Sequence, residues 1–340
     1  MTGRCSVITS PAGSGHDHPA HPECNSRLLA ALAGVPPGIT VRAAGPADEE
    51  DVHRIHAPWY TRWLRQRSEA ATVPGHLDAD TYVTRHSYDA ALNAAGAAIL
   101  AAERTLDGEH AFALIRPPGH HAEHDRARGF CLLNNAAIAA AHMLGSVDRI
   151  AIVDWDVHHG NGSEQAFYGT DKVLYCSVHQ EHIFPGSGRV ADCGIGAGTG
   201  YNLNAPLEAG AGIADFAAVF SRVFVPALER FRPDALVISA GQDTLFNDPL
   251  AGMNLHPKDF FFLTRQILQA VDCPLALVLE GGYGPSHGEA VAGIFAALRS
   301  GKEQEHDEMI GTPSGSTEKT LAGLRRHLDL IRHGSITGRA

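Results

Sequence analysis

The chain has 340 residues, 44% of them hydrophobic and 19% charged, the make-up of a soluble globular protein with a large core. Its net charge of −11 argues against non-specific DNA binding, which needs a basic surface, and is compatible with cationic substrates. Six cysteines without a C-x-x-C pair argue against a structural zinc ribbon. Several, such as Cys176, sit in apolar runs and read as small buried residues of a reducing compartment. Met1 to Ala20 carries no apolar stretch of signal-peptide length, and no segment reaches the ~18–20 apolar residues of a spanning helix. The expectation is a cytoplasmic protein with no membrane and no direct nucleic-acid partner.

Short apolar runs of strand length recur along the chain, at Ser6–Thr9, Phe112–Ile115, Arg149–Val153, Val173–Val178, Ala235–Ser239 and Leu275–Leu279. They lack period-2 alternation, so they read as strands buried on both faces. Helical patterns lie between them, at Tyr88–Thr105, Asn134–Leu144, Ile213–Phe231, Pro257–Ala270 and Glu289–Leu298, with Pro226 a candidate kink. This alternation predicts an α/β fold with a mainly parallel sheet and helices on both faces. Gly194–Gly200 reads as a loop rather than a boundary. Ser300–Thr320 is polar and leads to a last amphipathic helix near Leu321–Arg332, which leaves surface packing and homo-oligomer assembly both open.

In an open parallel sheet, ligands bind beyond the carboxyl ends of the strands. The chain holds 21 histidines, and several cluster with Asp and Gly directly after strand runs. After Ile150–Val153 comes Asp154-Trp155-Asp156-Val157-His158, followed by a Gly-Asn-Gly turn. Alternation predicts Asp154, Asp156 and His158 on one side of an extended segment. Carboxylate and imidazole together suit a divalent metal. After Ala235–Ala240 comes Asp243, by itself a helix cap or turn residue more often than a ligand. One Asp and one His from the first segment, with this Asp, make three ligands and leave a position open for water and substrate. After Phe112–Ile115 comes Arg116-Pro117-Pro118-Gly119-His120-His121. Side chains of neighbouring histidines are expected to diverge, so acid–base work fits them better than shared ligation. After Leu275–Leu279 comes Glu280-Gly281-Gly282-Tyr283, by itself a surface turn tyrosine more often than a functional one, but at this strand end a phenol that can donate to a developing oxyanion.

Together these segments resemble the histone deacetylase family, most closely its class II-like members, which include bacterial deacetylase-like amidohydrolases and acetylpolyamine amidohydrolases. Arg116–His121 with Gly129-Phe130-Cys131, and Val153–Gly162, carry the resemblance. His21-Pro22-Glu23 with Ser26-Arg27-Leu28 looks like the family's first loop and helix. The resemblance implies an arginase–deacetylase fold with a parallel sheet of about eight strands, and one catalytic domain over residues 1–340. It implies Asp156, His158 and Asp243 as zinc ligands and Asp154 as the carboxylate paired with His120. It implies His121 as general base, Asn161 as the partner of His121, and Tyr283 as the residue that polarises the scissile carbonyl. Phe130 and Phe184 match the walls of an acyl-lysine tunnel, Gly129 a tunnel residue, Leu250 a gatekeeper and Asp80 a rim aspartate. The family also binds structural potassium. One site would use Asp154 and Ser177 with carbonyls of Asp156, His158 and Val178; the other would use carbonyls of Phe167, Thr170, Val173 and Tyr201.

The chemistry implied is removal of acetyl or other acyl groups from lysine side chains or related amines by metal-activated water. The metal would be Zn2+, with Fe2+ the other ion open in cells. Three readings stand: a deacetylase of acyl-lysine, an amidase of acetylated polyamines or other small amides, and a non-catalytic acyl-lysine binding module. Retention of three ligands, two histidines and Tyr283 argues against the third. Leu250 puts no carboxylate where polyamine-selective relatives carry Glu, which favours acyl-lysine, although Asp78 or Asp80 would serve instead. Gln242 stands where relatives often carry an apolar residue, and is expected to alter the pocket wall. His16, His18 and His21 read as a solvated loop rather than a metal site.

Overall fold

The runs Ile150–Asp154, Ala235–Ala240 and Leu275–Leu279 are buried along their whole length. Strands of this kind belong in the middle of a sheet that is covered on both sides. The computed structural model describes residues 4–300 and 310–332, and it places all three there. In chain order the strands are β1 (Cys5–Thr9), β2 (Thr40–Ala43), β3 (Gly75–His76), β4 (Tyr82–Val83), β5 (His110–Ala113), β6 (Ile150–Asp154), β7 (Val173–Gln180), β8 (Asn202–Leu207), β9 (Ala235–Ala240) and β10 (Leu275–Leu279). Eight form one parallel sheet in the order β2-β1-β5-β10-β9-β6-β7-β8, and β3 pairs with β4 as a separate antiparallel ribbon.

The helices are α1 (Asn25–Ala33), α2 (Glu49–His53), α3 (Pro58–Glu69), α4 (Ser87–Leu106), α5 (Asn135–Met143), α6 (Asn161–Phe167), α7 (Ile213–Val219), α8 (Val225–Phe231), α9 (Pro257–Ala270), α10 (His287–Ser300) and α11 (Gly315–Leu328). α4 and α5 pack together on one face of the sheet, and α9 and α10 pack together on the other. α4 buries a row of alanines, whose lack of bulk lets the helix lie close to the strands. No helix among the described residues is long and apolar enough to cross a membrane.

β5, β10, β9 and β6 are consecutive neighbours in the middle of the sheet. The four chemistry-bearing segments are the ones that leave these strands. Their carboxyl ends are level, since Asp154 of β6 pairs with Ser239 of β9, which pairs with Val278 of β10. The fold therefore brings together segments more than 100 residues apart at one sheet edge.

Several boundaries differ from the sequence reading. β2 and β8 carry no apolar run; β2 is exposed throughout, and β8 alternates Asn with apolar residues before Pro206, the habits of edge strands. The expected helix Ile213–Phe231 is interrupted by a π-helical turn at Phe220–Phe224. Pro226 has no N–H and would crowd the carbonyl four residues back; the wider turn relieves this. The last helix starts at Gly315 rather than Leu321. Ser314 caps it by accepting from the Thr317 N–H at 3.2 Å, and Thr317 is buried against Asp215. The polar stretch expected from Ser300 to Thr320 is thus helical in its last part, and residues 301–309 lie outside the described residues.

Candidate active site

The chain leaves the sheet after Asp154 and turns back on itself. The Asp156 N–H donates to Asp154 Oδ1 at 3.1 Å, and the His158 N–H donates to Asp156 Oδ1 at 2.9 Å. Strand alternation does not extend through this segment, contrary to the sequence reading. Successive side-chain-to-backbone bonds curl it instead. The curl turns Asp156 and His158 toward the sheet edge and leaves Asp154 facing His120.

Asp243 arrives from the end of β9. Its Oδ1 accepts from the Val157 N–H at 2.9 Å, and Asp156 Oδ2 accepts from the Gly281 N–H at 2.7 Å. Backbone N–H groups thus hold both oxygens of Asp156 and one oxygen of Asp243, and Asp243 Oδ2 is left facing the imidazole of His158. His158 Nδ1 lies 3.2 Å from Asp156 Oδ1 and 3.2 Å from Asp243 Oδ2. The ligand atoms of the three residues lie within 4.8 Å of one another, and no other group of this kind occurs among the described residues. Two glycines make room for them. A Cβ at Gly241 would stand 2.1 Å from Asp156 Oδ2, and one at Gly281 would stand 2.1 Å from Asp243 Oδ2. Two carboxylates and one imidazole with space beside them suit Zn2+ or Fe2+ and leave coordination positions for water and substrate.

Electrostatics at this point favour a cation. Burial opposes charge on His158, but the hydrogen bonds and charges of Asp156 and Asp243 raise its pKa to about 10. Asp243 is pushed up to about 7, first by burial and then by the neighbouring Asp156 charge. A proton on His158 balances the two carboxylates when no metal does.

The paired histidines do not diverge as expected. Their ring centroids lie 4.0 Å apart, tilted by 42°, because the tight Gly119–Ala122 turn brings both side chains to one side. His120 Nδ1 lies 3.1 Å from Asp154 Oδ2, which also accepts from the Tyr175 hydroxyl at 3.0 Å. Burial opposes the charge of His120, yet Asp156 and Asp154 raise its pKa to about 10. His121 Nδ1 lies 2.8 Å from Asn161 Oδ1. A carboxamide oxygen only accepts, so Nδ1 carries the proton and Nε2 keeps its lone pair toward the cavity. Burial, then the charges of His120 and His158, hold His121 well below its ordinary pKa and therefore neutral.

Both partners have support that sequence reasoning missed. Asn161 Nδ2 donates to Glu123 Oε1 at 2.7 Å, and Glu123 pairs with Arg128 at 3.0 Å. Arg128 in turn lies over the Phe184 ring at 5.0 Å. Asp248 Oδ2 accepts from the Tyr283 and Gly284 N–H groups at 2.7 and 3.0 Å, while its Oδ1 accepts from the Leu250 N–H. One carboxylate therefore fixes both the tyrosine turn and the Leu250 loop. Asp-Pro in Asp248-Pro249 was the available turn signal. Tyr283 packs edge-on to Phe130 at 5.7 Å, and Arg27 lies 4.8 Å from its ring centroid. Burial raises the Tyr283 phenol well above its ordinary pKa, so it remains a hydrogen-bond donor.

A cavity of about 180 Å³ opens above the three ligands. Its wall includes Asp80, Gly129, Phe130, Phe184, Leu250 and Tyr283, so the structure brings every residue read as tunnel or rim to one opening. Gly129 and Phe130 are both left-handed, at φ +55° and +67°. A Cβ at Gly129 would stand 2.6 Å from both His121 and Phe184, so only glycine leaves the passage open. Phe130 adopts a conformation that costs a bulky residue energy, and its surroundings hold it there. Its N–H donates to Thr81 Oγ1 at 3.1 Å and its ring meets His21 edge-on at 4.6 Å.

Two readings of the surroundings are corrected. His16, His18 and His21 are not a solvated loop; they surround the ring of Tyr82, with His16 fully buried and stacked on it at 4.3 Å. His21 accepts the Glu23 N–H at Nδ1 and donates from Nε2 to the Asp80 carbonyl at 3.0 Å, which ties the first loop to the rim. Gln242 does not line the cavity: it is buried, and its Nε2 donates to the Ala240 carbonyl of its own strand. The residues read as potassium ligands sit at the ends of β6, β7 and β8 and in the turns between them. Asp154 and Ser177 are neighbours in register, and Ser177 Oγ lies 2.9 Å from His179 Nδ1. Phe167, Thr170, Val173 and Tyr201 lie around the α6–β7 turn, where the Thr170 N–H bonds the Phe167 carbonyl and the Tyr175 N–H bonds that of Tyr201.

Comparison with known proteins agrees with this geometry. The histone deacetylase domain profile matches residues 18–298. A histone deacetylase-like amidohydrolase of Pseudomonas aeruginosa is 39% identical over 308 residues, covering 86% of this chain and 80% of that one. A probable deacetylase of Methanothermobacter thermautotrophicus is 37% identical over 321 residues, covering 92% and 95%. The crystal structure of the HDA15 HD domain superposes with a TM-score of 0.89 at 30% identity, covering 96% of this chain and 95% of that one. The chain belongs to the histone deacetylase family of deacetylases and amidohydrolases.

Proposed function

We propose that the chain is a zinc-dependent amidohydrolase that removes acetyl or related acyl groups from lysine side chains. The observation that carries this reading is the convergence of Asp156, His158 and Asp243 at the floor of a narrow cavity walled by His121, Phe130, Phe184 and Tyr283. Bound there, Zn2+ would supply Lewis acidity toward the amide carbonyl and lower the pKa of a water toward neutrality; Fe2+ fits the same donors.

The chain's own residues do the rest. Neutral His121 takes a proton at Nε2 from the attacking water and later delivers it to the leaving amine. Asn161 holds the tautomer that makes this direction of transfer available. Tyr283, protonated at working pH, donates its hydroxyl to the carbonyl oxygen as charge grows there. His120, charged through Asp154, keeps a positive ring beside the site. Phe130 and Phe184 flank the aliphatic stem of the lysine, and the Gly129 carbonyl and Asp80 hold its amide and backbone. Potassium at the Asp154–Ser177 group and at the Phe167–Tyr201 turn would brace the strand ends from which the ligands project. Six free cysteines support a reducing compartment, the cytoplasm.

Leu250 at the cavity wall supports acyl-lysine over long polyamines, since it offers a distal ammonium no charge. A second reading, hydrolysis of small acetylated amines, draws support from Asp80 at the same opening. Acetate release from an acetyl-lysine peptide and from acetylputrescine, measured side by side with zinc supplied, tests both. Faster turnover of the peptide is expected. Faster turnover of acetylputrescine would favour the second reading, and no acetate from either would overturn both.

A further inference from the structure

α3 carries Trp59 and Trp63 one turn apart on one helix face. Both are unusually open for tryptophan, at 54% and 38% exposure. They line a groove of about 390 Å³ whose other walls are Leu77, Asp78, Asp125, Arg126 and Ala127. The tunnel shares both bordering segments. Asp78 faces the groove and Asp80 the tunnel, with only Ala79 between them, while Ala127 lies in the groove and Gly129 and Phe130 in the tunnel wall. Two residues of backbone span at most about 7 Å, so the ridge between the openings is crossed by one or two residues of an extended peptide.

The groove is chemically specific. Asp78 and Asp125 are exposed, and the ion pairs formed nearby, Arg128–Glu123 and Arg54–Asp51, leave both out. Asp78 Oδ1 accepts from the Asp80 and Thr81 N–H groups, and its side chain also bonds that of Asp80, which fixes the carboxylate at the edge of the groove. Arg126 is the one guanidinium in the groove, against the carboxylates of Asp78 and Asp125 there and Asp80 on the shared ridge. Indole faces beside carboxylates suit a side chain with an apolar stem and a cationic head. The groove is larger than the tunnel and has an apolar body, more than a short aminoalkyl tail would fill.

We propose that this groove is a substrate subsite that binds a lysine or arginine flanking the acyl-lysine of a peptide or protein substrate. The proposal rests on the lysine-deacylase reading and narrows its substrate class to basic acylated segments.

The test uses the full chain loaded with zinc and three acetyl-lysine peptides that differ only in carrying Arg, Ala or Glu next to the acetyl-lysine. Acetyl-lysine amide, which cannot reach the groove, is the internal control. The Arg peptide is expected to exceed the Ala peptide about fivefold in kcat/KM, through KM, the scale of an exposed cation–aromatic contact. The Glu peptide is expected to fall below both. Trp63→Ala and Asp125→Asn should each shrink this preference while turnover of acetyl-lysine amide holds. Asp125 is exposed, so its replacement tests the groove even if Trp63→Ala disturbs α3. Hydrolysis of the amide without a preference for Arg, or a preference kept in both variants, overturns the subsite alone. Failure to hydrolyse any acetyl-lysine compound overturns the underlying reading with it. A concentration-dependent dimer that Trp63→Ala dissociates, with no peptide preference, would assign the groove to a second copy of the chain and overturn the proposal.

Discussion

His121 and Asn161 meet through a single bond of 2.8 Å, imidazole Nδ1 to carboxamide oxygen, and this bond decides which nitrogen of His121 faces the cavity. Asn161 is itself held by Glu123, so its oxygen cannot turn away without breaking a second bond. Asn161→Asp replaces a neutral acceptor with a carboxylate, which favours the charged imidazole. A base works only when neutral, so the acidic limb of the pH–rate profile should move to higher pH. Asn161→Ala should lower kcat about 10- to 100-fold without that displacement, the range for general-base catalysis. A profile unchanged in Asn161→Asp would remove His121 from the base role.

Tyr283 has its backbone pinned by Asp248 and its ring between Phe130 and Arg27, so loss of its hydroxyl leaves its position intact. Tyr283→Phe is expected to lower kcat at least about 100-fold with KM little changed, the scale of losing one oxyanion donor. Zinc content measured on the same preparation should stay that of the parent chain. Near-normal turnover would take Tyr283 out of the mechanism.

The metal reading predicts a specific cost for filling a small space. Gly281→Ala puts a Cβ against Asp243 Oδ2 and close to Asp156 Oδ2, so one carboxylate must move. The variant should lose zinc affinity by at least about tenfold, on the scale of disturbing the groups around a metal. Zinc at 100 times its Kd should stabilise the parent by about 2.7 kcal/mol, read as a rise in Tm. Because His158 holds a proton up to about pH 10 in the metal-free chain, zinc binding at neutral pH should release it. Affinity should therefore rise with pH. Calorimetry in buffers of different ionisation enthalpy reads the released proton directly, and its absence would mean that His158 is already neutral in the metal-free chain.

What was legible in the sequence divides along range. Asp156, His158, Asp243 and Tyr283 follow buried strands, and apolar runs of this kind announce the sheet edge at which they meet. β2 and β8 were not legible because edge strands need no apolar run. The π-helical turn was signalled only as a kink at Pro226. The supports of the site were hidden for another reason. Glu123 to Asn161, Asp248 to Tyr283 and His21 to Asp80 join residues about 35 to 60 positions apart. No local period records a contact of that range, and only the folded chain reveals which acid serves which partner.

His21 shows how such a contact leads to a prediction. Its ring accepts from Glu23 N–H and donates to the Asp80 carbonyl, so one imidazole ties the first loop to the tunnel rim. His21→Ala should raise KM for a peptide more than it lowers kcat, because the ligands and His121 are untouched. His21→Gln, which keeps a donor, should recover part of the loss. Equal loss in kcat for both variants would mean a general structural effect instead.

Buried and half-buried histidines away from the ligands set the behaviour of the fold in acid. His56 Nδ1 lies 2.9 Å from the Glu123 carbonyl, and His56 Nε2 accepts from the Asn134 N–H at 2.9 Å, so a second proton would break the latter bond. Burial lowers its pKa to about 4. His16 and His110 are likewise lowered to about 4 and His287 to about 3, in each case first by burial. Above pH 6.5 neither the folded nor the unfolded chain protonates these rings, and they contribute no slope. Below it the unfolded chain takes protons that the folded chain refuses, so stability falls by up to about 1.4 kcal/mol per pH unit for each histidine until the folded pKa is reached. Glu280 and Asp243, both raised to about 7, oppose this, since the folded chain binds their protons more tightly over part of the same range. The histidines outnumber them. The Tm of the metal-free chain should therefore drop as pH is taken from 6.5 to 4.5, and His56→Gln, which keeps one donor and one acceptor in place, should make the drop shallower. A flat Tm across that window would mean that these rings are protonated in the folded chain and that the bond between His56 Nε2 and Asn134 does not persist in solution.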